Sequence, residues 1–146
     1  MATELLSISD VRKYVSDYSP NNYLIDGEEF SDGFISLCRD LAMDSYNIMP
    51  PASQYDTTNF PSKSLLLYGT MWHMYTGKAA LLARNTMSYS DGGISLAIEE
   101  RSELYRGIAS SFQSQFIETG KALKISINME SGWSSVSSDD AMIPLW

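Results

Sequence analysis

The sequence predicts a mainly α fold: a small helical bundle of about four helices, with a long central helix, a long C-terminal helix and an extended C-terminal arm. Three observations predict it. Apolar residues recur at steps of three and four in several separate stretches, serine stands where those stretches begin, and proline, asparagine or Gly-Gly punctuation divides them. The 146 residues fit one domain, and 44% hydrophobic against 19% charged residues supply enough apolar material for a core. The boundaries read as a helical body at 1–130 and an arm at 131–146.

Ser7 or Ser9 can cap a first short helix running to about Asp17, with Ile8, Val11, Tyr14 and Val15 on one face. Ser19-Pro20-Asn21-Asn22 ends it. Tyr23 to Phe30 reads as a loop in which Asp26-Gly27 turns the chain and Leu24 and Ile25 can dock on the core. Ser31-Asp32 starts a second helix carried by Phe34, Ile35, Cys38, Leu41, Ala42, Ser45 and Tyr46. Met49-Pro50-Pro51 stops it, because the residue before proline is pushed out of the helical region and proline offers no N–H. A polar loop follows over 50–61.

Ser62 opens the longest apolar element, Lys63 to about Ser88, which would span roughly 39 Å as one helix. Leu65, Leu66, Leu67, Tyr68, Met71, Trp72, Met74, Tyr75 and Ala79 to Ala83 cover more than one face. Such a helix needs burial on several sides, by its own domain or by a neighbouring subunit. A membrane span over 65–83 is the competing reading, but His73 and Lys78 lie inside it, where charge is costly, so a soluble protein is expected. Gly69, Thr70, Gly77 and Ala80 permit close helix packing without forming GxxxG.

Asn85 to Gly93 is turn-rich and should reverse the chain. A fourth helix from about Ala97 then carries Ile98, Tyr105, Ala109, Phe112, Phe116, Leu123 and Ile127, with Glu99 and Glu100 near its start and Lys121 and Lys124 near its end. Over 122–130 the alternation of Leu123, Ile125, Ile127 and Met129 with polar residues also fits a strand, and Gly120 could stop a helix; continued helix is the preferred reading. From Ser131 onward periodicity is absent, although the chain closes with apolar residues. That tail either folds back on its own domain or reaches a neighbour.

The composition excludes several function classes. Ten Lys+Arg against eighteen Asp+Glu give a net charge of -8, which disfavours sequence-specific nucleic-acid binding while suiting either plain solubility or an acidic channel past which DNA slides. Cys38 is the lone cysteine and reads as a small buried hydrophobe suited to a reducing cytosol. The N-terminus has no basic and apolar run of the secretory type. His73 is the lone histidine and, between Trp72 and Met74, reads as a hydrogen-bonded core or interface residue. No zinc, nucleotide or nucleophile-elbow motif can be written. Asp26, Glu28 and Glu29, like Asp139 and Asp140, lack EF-hand spacing and read as solvated charge. No enzyme activity, metal or cofactor is expected.

The order of features resembles tailed-bacteriophage neck proteins, the head-to-tail connector or adaptor subunits of the virion. The resemblance is carried by Asn59-Phe60-Pro61 leading into Leu65-Leu66-Leu67-Tyr68-Gly69, by Ala79 to Asn85, and by Tyr89-Ser90-Asp91-Gly92-Gly93. The long helix with Tyr105, Phe112 and Phe116 follows, then Lys124, Asn128 and Gly132-Trp133-Ser134-Ser135-Val136-Ser137-Ser138. It covers roughly 59–138, and its specificity lies in ordering rather than in any single motif. The resemblance implies a structural homo-oligomer ring, about twelvefold, docked beneath the portal protein with DNA passing through, assembled in the host cytoplasm and resident in the virion neck. It also implies C-terminal arms that reach a neighbour or the portal. On that reading Trp133, Met142, Ile143, Leu145 and Trp146 are inter-subunit contacts, and Met71, Trp72 and Tyr75 are core or ring interface. The alternative is another tail or baseplate structural protein, or a non-viral helical oligomerisation module, since the fold physics would be the same.

Overall fold

The computed structural model describes residues 4–19, 21–22, 27–85, 90–91, 94–95 and 99–134. Four helices carry the fold: α1 (Ile8–Val15), α2 (Asp32–Ile48), α3 (Lys63–Arg84) and α4 (Glu99–Ser134). Serine caps the first three as their sequences dictate. The Ser7 hydroxyl accepts from the Asp10 N–H while the Asp10 carboxylate accepts from the Ser7 N–H, a reciprocal box that satisfies two otherwise orphan donors. Ser31 and Ser62 likewise accept from the N–H groups of Phe34 and Leu65. Asp10 is also bound by Lys63 at 2.9 Å; Lys63 and Ser7 together lower its pKa to about 2 and tie the start of α1 to the start of α3.

The central helix ends at Arg84, where the Asn85 N–H closes onto the carbonyls of Leu81 and Leu82, four residues short of the Ser88 expected from the apolar run. Asparagine favours such a terminus over a helix interior because its side chain competes for backbone groups. The chain then reverses through a two-residue antiparallel ladder, β1 (Ser90–Asp91) with β2 (Ile94–Ser95), pairing Ser90 with Ser95 and Asp91 with Ile94. The fourth helix is continuous for 36 residues, about 54 Å, so 122–130 is helix and not strand. It also passes the expected arm boundary at 130 and ends at Ser134; residues 135–146 lie outside those described. Leu24 and Ile25, expected to dock on the core, lie outside them as well.

As far as Ala79 the over-apolar character of α3 is met inside the single chain, with α2 on one side and α4 antiparallel along another, while Ala80, Leu81 and Ala83 stay exposed. Ser102 Oγ donates to Ala79 O at 3.2 Å, and Phe116 lies beside Gly69 some three turns along. The core joins Ile35, Cys38, Ala42 and Tyr46 from α2, Leu65, Leu66, Met71 and Met74 from α3, and Phe116 from α4, closed by Leu6, Phe30 and Phe60 from the connecting segments. Gly69 makes the three-helix approach possible. A Cβ there would stand 2.7 Å from both Ala42 Cβ and Phe116 Cε2, so any side chain would part the helices. Gly77 does the same for Phe34, whose Cζ lies 2.8 Å from the Cβ position.

Two positions expected to face the core do not. Tyr14 is 54% and Leu41 41% exposed. In α2 the buried line runs Ile35, Cys38, Ala42, Met43 and Tyr46, which turns Leu41 and its neighbour Leu37 outward. α1 is only eight residues long and settles through Val11 and Arg12, leaving Tyr14 edge-on to Phe112 at 6.4 Å.

Three cations are buried: Arg39 donates to Leu6 O (3.0 Å) and Glu4 Oε2 (2.6 Å), and two more fasten the connections. Lys124, 4% exposed, donates to Met49 O (3.1 Å), Pro51 O (2.7 Å) and Ser53 Oγ (2.7 Å) and sits over the Tyr46 ring at 4.5 Å, holding the α2–α3 loop against α4. Burial lowers its pKa, yet three acceptors and a ring face compensate the ammonium. Arg12 is the second and organises the surface described next.

Candidate assembly surface

The surface begins at α1. Arg12 is 5% exposed and donates to Asp17 Oδ2 (3.0 Å), Phe30 O (2.7 Å) and Asp32 Oδ1 (2.6 Å), with Glu28 Oε2 at 2.8 Å. Asp17, 4% exposed, accepts in turn from the backbone N–H groups of Glu29 (2.7 Å) and Phe30 (3.1 Å) and from the Asn22 amide (2.7 Å). Burial pushes the Asp17 carboxyl up, but these donors and the guanidinium outweigh it and hold its pKa below the ordinary carboxylate value. The segment 27–32 is thereby fixed to α1. Phe30 is buried, stacked on Phe34 and edge-on to Tyr75, and the Glu29 side chain reaches between α3 and α4.

Glu29 Oε1 meets Lys78 Nζ and the Tyr105 hydroxyl, each at 3.0 Å. Tyr105 stacks on Tyr75 at 5.7 Å, and its pKa is pushed up to about 12, first by burial and then by the neighbouring Glu29 carboxylate. A groove of about 780 Å³ opens here between α3, the start of α4 and the residues Asn21, Asn22 and Glu29. Glu29, Lys78 and Tyr105 form its polar wall and Leu82, Leu104 and Ile108 its apolar wall. Arg101 stands at its rim, exposed and without an ion pair among the described residues.

Leu104 and Ile108 are 66% and 41% exposed, one helical turn apart on α4. Ile125 and Met129 repeat that spacing near the other end of the helix, at 60% and 57%. On α2, Leu37, Leu41 and Ile48 are exposed too, Ile48 most of all. Large apolar side chains in turn-spaced pairs on one helix are the pattern of a surface that meets another surface.

Of the expected contact residues, Met71 is 1% exposed and belongs to the core of its own chain. Trp72 is half-buried, packed on Phe116 at 5.8 Å and on the His73 ring at 4.3 Å. Tyr75 is half-buried between Tyr105 and Phe112 and borders the groove. Met71 thus sits in the core, whereas Trp72 and Tyr75 pack against its edge and Tyr75 also borders the groove. Trp133 lies in the last turn of α4. Met142, Ile143, Leu145 and Trp146 lie outside the described residues.

His73 accepts or donates through Nε2 to Ser45 Oγ at 3.3 Å, and burial lowers its pKa, so it is a neutral bridge between α2 and α3 near pH 7. Burial raises the Cys38 thiol to about 11. Among the described residues no group of three His, Cys, Asp or Glu could hold a metal ion, and no helix is long and apolar enough to cross a membrane.

Leu104, Ile108 and Arg101 are site residues beyond those expected from the sequence, and Glu29, expected as solvated charge, is paired with Lys78 and Tyr105. The signal for the first two was present. Leu104 and Ile108 each precede a residue of the buried line Tyr105, Ala109, Phe112 and Phe116, widening the stripe beyond what one core contact covers. Compared with known proteins, the chain matches no family model, no curated protein and no solved structure.

Proposed function

We propose that the chain is a structural subunit of a tailed-phage virion, a head-to-tail connector that assembles as a ring between portal and tail and lets DNA pass. The observation that carries the assembly half of this reading is the exposure of Leu104, Ile108, Ile125 and Met129 along α4. Covering each of these against a neighbour is worth roughly 1 kcal/mol or more, while leaving them wet serves nothing in an isolated subunit. The virion half is supported by the ordered sequence features of 59–138 and by the net charge of -8, which keeps a ring of such subunits from gripping DNA.

The test is native mass measurement and particle imaging of the purified chain, alone and with any portal protein encoded near its gene. A closed ring that binds the portal is the expected result. A monomer at high concentration with no affinity for portal or tail components refutes the reading. An oligomer that ignores the portal but joins tail or baseplate, or no virion part at all, favours the alternative role as another tail protein or a non-viral oligomerisation module.

A further inference from the structure

The groove between α3 and α4 has a two-part chemistry: a polar wall in which Lys78 is paired with Glu29 at 3.0 Å, leaving Arg101 as the exposed cation, and an apolar wall of Leu82, Leu104 and Ile108. The residues that follow α4 read Ser135-Val136-Ser137-Ser138-Asp139-Asp140-Ala141-Met142-Ile143-Pro144-Leu145-Trp146, an acidic pair followed within two residues by an apolar run. Each half of that segment matches one half of the groove in sign and polarity. Pro144 suits it to an extended ligand lying along a helix pair rather than to another helix.

Chain geometry decides which groove it can reach. The groove lies at the start of α4 and the segment leaves from its end at Ser134, so Leu104 and Ser134 are separated by 30 helical residues, about 45 Å. Asp140 is six residues beyond Ser134 and can lie at most about 22 Å from it, and Ile143 at most about 32 Å. Neither reaches the groove of its own chain; Leu145, at most about 40 Å from Ser134, just meets the Ile108 end, about 39 Å away, which leaves the acidic pair far short of Arg101. We infer that the groove is the docking site for residues 139–146 of a second copy of this chain. The acidic pair faces Arg101, and Met142, Ile143 and Leu145 cover Leu104 and Ile108.

This rests on the assembly reading above and gives it a direction. The contact joins unlike surfaces, groove to tail, and each copy offers one of each; passed from copy to copy it builds a ring where the rotation closes, whereas reciprocal exchange of tails between two copies would give a two-fold dimer.

The experiment uses two full-length variants whose folding is checked by circular dichroism. One carries Met142→Asp, Ile143→Asp and Leu145→Asp, leaving its groove intact; the other carries Leu104→Asp and Ile108→Asp, leaving its tail intact. Each alone should be monomeric, and an equimolar mixture should stop at dimers, because one productive groove–tail pair remains. A fluorescent peptide of residues 135–146 should bind the tail variant, with affinity falling at least tenfold on adding Leu104→Asp. Arg101→Glu should weaken binding several-fold and be rescued by a peptide carrying Asp139→Lys and Asp140→Lys. Peptide binding that ignores the groove substitutions, or absence of binding to any copy of the chain, overturns the docking inference. If the peptide fills the groove but the unsubstituted chain forms no ring, the docking stands and the ring reading falls. If rings form and groove lesions leave them intact, the reverse holds.

Discussion

Replacing Arg12 with methionine tests the idea that one buried cation holds the 27–32 segment and, through it, the groove. Removing one partner of a buried charge pair costs about 3–5 kcal/mol, because the other charge is left uncompensated in a place water cannot reach. Asp17 would keep the N–H groups of Glu29 and Phe30 and the Asn22 amide, which sets the loss at the low end, about 3 kcal/mol. For a chain of 146 residues that corresponds to a fall of roughly 10 °C in Tm. Urea and thermal denaturation followed by circular dichroism give both quantities.

The acid limb supplies a second readout. The folded pKa of Asp17 lies below its ordinary value of 3.8, so its contribution to stability is present above that value and is lost as pH falls through the folded pKa. Without Arg12 the depression is smaller, and the decline in stability below about pH 4 becomes shallower. The double variant with Asp17→Asn should recover part of the loss, since no unpaired charge then remains. A loss under about 1 kcal/mol with an unchanged acid limb would refute the argument.

Lys124→Met removes three hydrogen bonds to the α2–α3 loop and the contact with the Tyr46 ring, offset in part by the lifted desolvation of the ammonium; a loss of about 2 kcal/mol is expected in urea denaturation. Gly69→Ala gains helix propensity but overpacks Ala42 and Phe116, with a net loss of about 1–2 kcal/mol, and a stabilised variant would show that the helices can part without cost. Cys38, 2% exposed with its thiol raised to about 11, should not react with a disulfide reagent at pH 8 until guanidinium unfolds the chain; rapid native-state labelling would contradict its burial.

The helices were legible because their signals are local. Ser7, Ser31 and Ser62 cap as their positions foretell, and Tyr105, Ala109, Phe112 and Phe116 mark the inner face of α4 at helical spacing. The buried charges were not legible. Arg12 and Lys124 are inside, and Glu29 partly so, because acceptors or donors arrive from segments farther along the chain, and nothing in their immediate neighbours announces those partners. The same reason hid the groove. Its walls are Lys78 and Leu82 from one helix and Arg101, Leu104 and Ile108 from another, and only the antiparallel register of α3 and α4 brings them together. Tyr14 was misplaced because an eight-residue helix is positioned by a side chain, Arg12, more than by its own apolar stripe.

The backbone amide of Glu29 is held by Asp17 while its side chain lies in the groove, so a single residue belongs to two cooperative units. Anything that braces the Glu29 carboxylate must, by reciprocity, make local opening of the first helix rarer. Amide hydrogens of Val11 to Val15 would then exchange with deuterium more slowly when the groove is filled, although no ligand atom touches them. The N-terminal helix is in that sense a remote gauge of occupancy, read through one peptide N–H.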